Sequence, residues 1–505
     1  MNGVSMKSVE NGVSGANPSV NQSSAKLGTN PSANPIRITH LSPKITHFEA
    51  EIDNIASDKS LSHRAVIFAF LSDGTSKISN FLFGEDTLNT LKIAMQLGMQ
   101  VSANGKAVRN ISEIPRNAQI SLSRHKDGIL EPNDILDCGN AGTAIRLYLG
   151  LLASQNGRYF VLSGDEYLRV RPMSRVIAPL NNIGAKIVGR EGNRLAPITI
   201  MGQNLAHFSY HSNISSAQVK SAMILAGLNA VGESKDESIS HFSEISLSRD
   251  HSERMLNGMG AGLKCSGNGI AIRALNTPLK PLDIEIPADP SSAFYFAILA
   301  LIVPNSRVIL KNVLLNKTRI EAFMVLKKMG ANIEIKPQKS LYEDIGDICI
   351  SKDSALRAFE LGENIAWLID EIPALAVVFA FADGKSVVKN ATELRAKESD
   401  RIKATIANLA KFGVKCEEFE DGFSVVGGFA PPNKKVVIDS YGDHRIAMSF
   451  AILGALCEVE VVDSGCIDVS FPNFLEILGQ FVAIKNSESR ESKAHDLSHE
   501  SKSAK

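Results

Sequence analysis

Six times along the chain an apolar-periodic stretch ends in a bulky apolar residue, a glycine and a short β-like run, and this recurrence restricts the fold more than any other feature. The copies are Leu97-Gly98-Met99, Ile183-Gly184-Ala185, Met259-Gly260-Ala261, Met329-Gly330-Ala331 and Phe412-Gly413-Val414, with a weaker sixth at Leu478-Gly479. Their spacing, roughly 65 to 85 residues, exceeds that of ordinary solenoid repeats. In the fourth copy Ala322, Val325, Leu326 and Met329 fall on one helical face, and Gly330 can take the left-handed conformation that ends a helix. Ile333 and Ile335 then alternate with polar residues, as in a half-buried strand. Six helix-plus-strand units split three and three predict two similar domains with a ligand cleft between them. A chain of 505 residues is also too long for one ordinary core.

Residues 1–36 are rich in Ser, Asn and Gly and lack the apolar core of a secretory signal, while residues 486–505 are polar and charged. Both are expected to be disordered extensions with too little apolar surface to fold. The longest apolar run, near 293–303, is too short to cross a bilayer, so a soluble, cytoplasmic protein is expected. Lys plus Arg equals Asp plus Glu at 54 each, which argues against nucleic acid or another polyanion as partner. Any anionic ligand must be bound locally. The six cysteines are scattered without a close pair, which fits neither a disulfide framework nor zinc spacing. A monomer without metal, cofactor or membrane contact is expected.

Several segments concentrate groups that bind anions. Ser57-Asp58-Lys59-Ser60-Leu61-Ser62-His63-Arg64 opens an apolar helix, where free amides and the positive dipole end add to Lys59 and Arg64. By itself it reads equally as an N-cap with surface charges. Asp137-Cys138-Gly139-Asn140-Ala141-Gly142-Thr143-Ala144-Ile145-Arg146 is a glycine turn entering a helix, without the spacing of a nucleotide-binding loop. Leu168-Arg169-Val170-Arg171-Pro172-Met173, Ile214-Ser215-Ser216-Ala217-Gln218-Val219-Lys220 and Ser248-Arg249-Asp250-His251-Ser252-Glu253-Arg254 carry further donors; each alone could be a solvated loop. In Leu368-Ile369-Asp370-Glu371-Ile372-Pro373 two acids interrupt an apolar run, either for chemistry or to stabilise a helix start with Pro373 early in it. Arg395-Ala396-Lys397-Glu398-Ser399-Asp400-Arg401 puts Lys397 and Arg401 four apart on a helix or tight turn, with Glu398 beside them as a proton carrier. Tyr441-Gly442-Asp443-His444-Arg445-Ile446-Ala447-Met448 presents His and Arg before another apolar helix.

In this order, Asp-Lys-Ser, Gly-Asn-Ala-Gly-Thr, Arg-Pro-Met, Ser-Ala-Gln, Lys-Glu-Ser-Asp-Arg and Asp-His-Arg resemble the 3-phosphoshikimate 1-carboxyvinyltransferases, or EPSP synthases, across residues 37–480. The resemblance implies an α/β (α+β) fold: a two-domain inverse α/β barrel of six βαβαββ repeats, three per domain, with the active site in the interdomain cleft. The domains would be 59–287 and 37–58 plus 288–485. It further implies transfer of the enolpyruvyl group of phosphoenolpyruvate to the 5-hydroxyl of shikimate 3-phosphate. Shikimate 3-phosphate would be held by Lys59, Ser60, Arg64, Ser215, Ser216, Gln218, Ser248, Asp370 and Lys397. Phosphoenolpyruvate would be held by Lys59, Gly142, Arg171, Gln218, Arg401 and Arg445. Asp370, Glu398, Lys59 and Lys397 would be catalytic, with Asn140, Thr143, Arg146, Glu371 and His444 behind them. Cations would keep Asp370 ionised, and a drier or acid-rich setting would keep Glu398 protonated.

The chain departs from some relatives at Val469, where they have lysine, and at Glu393 and His251, where they have Asn and Tyr. The combination of Arg249-Asp250-His251-Ser252-Glu253, Asp58-Lys59, Ser216-Ala217-Gln218-Val219-Lys220 and Asn316-Lys317-Thr318-Arg319 resembles a subclass associated with glyphosate tolerance, while Gly142, roomier than alanine, argues against strong tolerance, so an intermediate phenotype is expected. The alternatives are a UDP-N-acetylglucosamine enolpyruvyl transferase, or a non-catalytic phosphoester-binding protein of the same fold.

Overall fold

The computed structural model describes residues 35–231 and 239–489, and most of both polar extensions lies outside the described residues. Five of the six repeat glycines end helices in the left-handed region, with φ of +93° at Gly98, +100° at Gly184, +97° at Gly260, +108° at Gly330 and +82° at Gly413. The sixth differs: Gly479 has φ −62° after the short helix Phe474–Leu478 and is not a left-handed stop. The helix Glu321–Lys328 buries Ala322, Val325 and Leu326, and Ile333 is buried in the strand Asn332–Gln338 that follows.

Each repeat folds into its own small sheet, and the unit near the middle of the chain shows the plan. Strand Ser209–Ser212 leads through helix Ala217–Leu228 to the parallel strand Ile239–Glu244, then through helix His251–Gly258 to the strands Lys264–Ser266 and Gly269–Arg273. The last of these pairs antiparallel to Ile239–Glu244, and Lys264–Ser266 lies at the edge. The other five sheets follow the same order, one with the extra strand Lys106–Val108. Among the described residues all six sheets are open, so the architecture there is helices wrapped by separate sheets rather than a closed barrel.

The first helix of each unit lies inside. Pro290–Ile302, Ile372–Ala380 and His444–Ala451 are buried along their whole length. Lys59–Phe68, Gly142–Leu152 and Ala217–Leu228 are buried except near their N-terminal ends. The apolar run around 293–303 is thus an inner helix of a water-excluding core, and no helix among the described residues is long and apolar enough to cross a membrane. Burial divides into two apolar clusters. One draws on residues 41–56 and 288–482 with Leu82, the other on 61–286 with Leu314 and Tyr342.

Three sheets are completed out of chain order. Asp283–Glu285 supplies the parallel first strand to Thr75–Ser79, and Glu49–Ile52 does so for Arg307–Leu314. The chain therefore passes between the clusters twice, side by side: Asp58 N donates to the Pro287 carbonyl (2.8 Å) and Asp289 N to the Ala56 carbonyl (2.9 Å). At the other extreme, Ile36–Pro43 is sandwiched between Val459–Val462 and Val482–Ser489. This corrects the expectation that order ends at residue 485. Asn486 to Ser489 extend an edge strand, held by the ladder and by Thr39 Oγ1 donating to Asn486 Oδ1 (2.8 Å). Backbone pairing, which apolar content does not report, fixes them.

Candidate active site

The N-termini of all six inner helices meet at one pocket between the two apolar clusters. They bring Lys59 and Ser60, Gly142 and Thr143, Ser216 and Gln218, Asp289, Asp370, and His444 with Arg445 to its wall. Six positive dipole ends in one place favour negative charge. The side chains add to this, with ten Lys and Arg against five Asp and Glu in the lining. In a chain with no net charge, that excess is a local anion site.

Local sequence explains how the ends are held open. Asp58, Asp289 and Asp443 are N-caps, accepting from Leu61 N (2.7 Å), Ser291 N (2.8 Å) and Arg445 N (2.8 Å). Asp370 and Glu371 precede Ile372, with Pro373 in the first turn, so both readings of that acidic pair hold: a helix start and a wall of the pocket. The expectation for Lys397 and Arg401 is corrected. A bend at 397–399 separates the 3-10 helix Thr392–Ala396 from the helix Arg401–Lys411, which Asp400 caps, so the two cations do not share a helix face.

Every expected catalytic and substrate-contacting residue lines this pocket: Lys59, Ser60, Arg64, Gly142, Arg171, Ser215, Ser216, Gln218, Ser248, Asp370, Lys397, Glu398, Arg401 and Arg445. Thr143, Arg146 and His444 also reach the wall. Asn140 and Glu371 stand behind it. The Asn140 carbonyl accepts from Arg171 (3.4 Å), and Glu371 accepts from Ser291 Oγ. Among the charged motifs, Lys220 does not contribute; it is buried between Glu244 (2.9 Å) and Glu253 (2.8 Å). Val469 is not in the wall, and its carbonyl packs where a side chain on Gly84 would go. Sequence reasoning missed Asp86, Arg175 and Asp289, and gave Arg249 and Arg319 no role at the site. Asp289 carries the signal that found Asp370, an acid opening an apolar helix; Arg175 lies on the helix Ser174–Asn182, two residues past the Arg-Pro-Met motif.

Two carboxylates are clamped by arginines. Asp370 meets Arg249 Nη1 (2.7 Å) and Arg401 Nη1 (3.2 Å). Glu398 meets Arg401 Nη2 (2.7 Å) and Arg171 Nη1 (3.4 Å), while Arg401 Nε is held by Asp443 (2.9 Å). Burial pushes the Asp370 carboxyl up, but Arg249, Arg445, Arg401 and Lys397 outweigh it and hold the group well below the usual carboxylate range. Burial likewise pushes Glu398 up, and Arg171 and Arg401 bring it well below that range. The expected protonated Glu398 is therefore corrected for this arrangement. Its surroundings are cationic, because Arg171 reaches it from the other apolar cluster. Lys397 goes the other way: burial pushes its ammonium down to about 8 despite Glu393 (3.6 Å) and Asp370. Lys59 pairs with Asp86 (3.0 Å), and Gln218 is fixed by Arg146 (2.7 Å) and Thr143 (3.1 Å). Arg64 donates to Ser252, Ser221 and the Ser60 carbonyl, which makes it a brace for Ser60 as much as a free cation.

Guanidinium nitrogens of Arg171, Arg249 and Arg445 are buried without a protein acceptor. Buried donors of this kind are costly unless an acceptor arrives with a ligand, and planar forks suit carboxylate and phosphate. The residues 43–478 match the family model described as EPSP synthase (3-phosphoshikimate 1-carboxyvinyltransferase). The chain belongs to the EPSP synthase family. It is 53% identical over 451 residues to the 3-phosphoshikimate 1-carboxyvinyltransferase of Wolinella succinogenes, covering 89% of this chain and 98% of that protein. It is 52% identical over 459 residues to that of Helicobacter hepaticus, covering 89% and 99%. Among solved structures, an EPSP synthase from Acinetobacter baumannii superposes with a TM-score of 0.76 at 32% identity, covering 89% of this chain and all of that one.

Proposed function

We infer that this chain transfers the enolpyruvyl group of phosphoenolpyruvate to the 5-hydroxyl of shikimate 3-phosphate, releasing phosphate. The observation that carries this reading is the convergence of Asp370, Lys397, Glu398, Arg171, Arg401 and Arg445 on six helix N-termini, in a chain about half identical to proteins of that name. The two apolar clusters serve as the two domains, 59–287 and 37–58 plus 288–485, with both substrates between them. Ser60, Ser215, Ser216, Gln218 and Ser248 take shikimate 3-phosphate with Lys59 and Arg64, and Arg171, Arg401 and Arg445 take phosphoenolpyruvate beside Gly142.

The reaction runs as addition then elimination. The 5-hydroxyl oxygen bonds to C2 of phosphoenolpyruvate and loses its proton to Lys397 or Asp370, while C3 accepts a proton from Glu398. The resulting tetrahedral ketal then returns a C3 proton to the Glu398 carboxylate and expels phosphate, giving the enol ether. Glu398 starts ionised, so it must gain a proton before addition. Anionic phosphoenolpyruvate on Arg171 and Arg401 neutralises the two charges that hold Glu398 down, which supplies that step.

Purified protein is expected to release phosphate from phosphoenolpyruvate only when shikimate 3-phosphate is present, with the enolpyruvyl product seen by mass spectrometry. Turnover with UDP-N-acetylglucosamine instead would overturn the reading. Lys397 adds a pH test, since its amine is neutral above about 8 and cationic below. If it takes the hydroxyl proton, kcat/KM for shikimate 3-phosphate rises with pH through about 8, because kcat/KM reports groups of the free enzyme. The limb disappears in Lys397→Arg; a fall through the same pH would make Asp370 the base. A third expectation concerns Gly142. A Cβ there would lie 3.0 Å from Arg171 Cζ and from Arg146 Nη1. Gly142→Ala therefore raises KM for phosphoenolpyruvate, by about 10-fold for an overpacking cost of ~1.4 kcal/mol.

A further inference from the structure

The segment carrying Asp370 is tied to the loop carrying Ser248 and Arg249 by a side chain that no motif flagged. Trp367, the chain's only tryptophan, donates its indole N–H to the Leu247 carbonyl at 2.5 Å. Leu247 directly precedes Ser248, and Trp367 lies one helical turn before Asp370, in the short helix Ile365–Leu368. Close by, Arg249 Nη1 meets Asp370 Oδ2 at 2.7 Å. Three links thus join the same pair of segments, since Arg249 Nη2 also lies 3.8 Å from Glu371 Oε2, and these segments stem from different sheets in different apolar clusters.

What surrounds the indole makes its bond matter. A cavity of about 610 Å³ lies between Ile214 and Asn268 on one side and Asn364 and Asn390 on the other, with Leu247 and Trp367 in its wall. The two faces do not pack directly there, so apolar contact does not fix their separation. The same cavity shares Ser215, Ile369 and Glu393 with the active-site pocket, so a shift of this wall is felt where shikimate 3-phosphate is bound. The arginines assigned to phosphoenolpyruvate stand on other elements: Arg171 follows the helix Glu166–Arg169, while Arg401 and Arg445 open the helices Arg401–Lys411 and His444–Ala451.

We propose that Trp367 is a positioning residue for shikimate 3-phosphate, acting through its hydrogen bond to Leu247 to hold the 246–249 loop against the Asp370 segment and so set the Arg249–Asp370 contact. The proposal rests on the function proposed above. It places the specificity of this wall in a residue that touches neither substrate.

Trp367→Phe keeps an aromatic ring and removes the N–H. Losing one hydrogen bond of this kind predicts a rise of about 3- to 10-fold in KM for shikimate 3-phosphate. KM for phosphoenolpyruvate stays within a factor of about two, a split that general loosening of the fold would not produce. In an Arg249→Ala background the same replacement has little further effect, since both changes break one linkage. Equal changes in both KM values, additive losses in the cycle, or kinetics matching the parent protein overturn the proposal. A second measurement needs no variant: the emission of Trp367 in the full chain is expected to change on titration with shikimate 3-phosphate alone, and an unresponsive emission overturns the proposal. Parent protein that turns over both substrates while Trp367→Phe behaves identically rejects only the role of Trp367; parent protein without turnover rejects the proposed function.

Discussion

Replacing Glu398 by glutamine is expected to lower kcat by about 10²- to 10⁴-fold, the usual loss when a positioned proton carrier is removed. Glutamine has nearly the same shape and can still accept from Arg401, so the change isolates the proton from the geometry. Glu398 contacts the arginines assigned to phosphoenolpyruvate and none of the serines assigned to shikimate 3-phosphate. Binding of shikimate 3-phosphate, measured by calorimetry, should therefore survive within a few-fold. Turnover close to the parent level would remove Glu398 from the chemistry and leave Asp370, Lys397, Lys59 and His444 among the groups of the pocket able to carry protons there.

Arg319→Ala is expected to cost about 3–5 kcal/mol of stability, read by chemical denaturation. The side chain is 1% exposed. Its guanidinium donates to Asp58 (2.6 Å) and Asp289 (2.7 Å), the caps of Lys59–Phe68 and Pro290–Ile302 at the double crossing of the chain. Burial works against its charge, but the two aspartates hold its pKa above the ordinary value. Removing it leaves two buried carboxylates facing each other without a cation. Arg319→Lys should recover only part of the loss, because one ammonium cannot reproduce two parallel donations to separate acceptors. Arg319 Nη1 also approaches His251 Nε2 (3.2 Å), which makes that nitrogen the acceptor and leaves Nδ1–H to donate to Glu343 (2.7 Å). The departure at His251 is thus part of this buried network.

The repeat was legible because a left-handed glycine after an amphipathic helix is a local requirement that five of the six copies state by themselves, Gly479 being the exception. Which sheet a strand joins is not local. Asp283–Glu285 and Glu49–Ile52 look like ordinary short strands, and nothing in their alternation says that they complete sheets begun elsewhere. Asn486 to Ser489 were missed for the opposite reason, since an edge strand held by its ladder needs little apolar surface. At the site, five of the motifs were readable because polar residues there abruptly precede an inner apolar helix; the sixth such junction, at Asp289, carries no motif and was missed. What sequence could not supply was the environment of each group. Glu398 is ionised because Arg171 comes to it from some 230 residues away in the chain, and Trp367 matters because a carbonyl from another sheet lies opposite its N–H.

The out-of-order strands also govern how the molecule can be made. Ile36–Pro43 emerges long before either of its neighbours, Val459–Val462 and Val482–Ser489. Its two edges must stay unpaired, and protected from other chains, until those strands have been made. The cluster that contains it can close only once Val482–Ser489 has been made, whereas the cluster built from 61–286 waits for Asp283–Glu285 and for the Leu314 and Tyr342 side chains packed into it. A chain truncated just after Tyr342 should therefore already resist protease over its earlier cluster while its first strand is still cut.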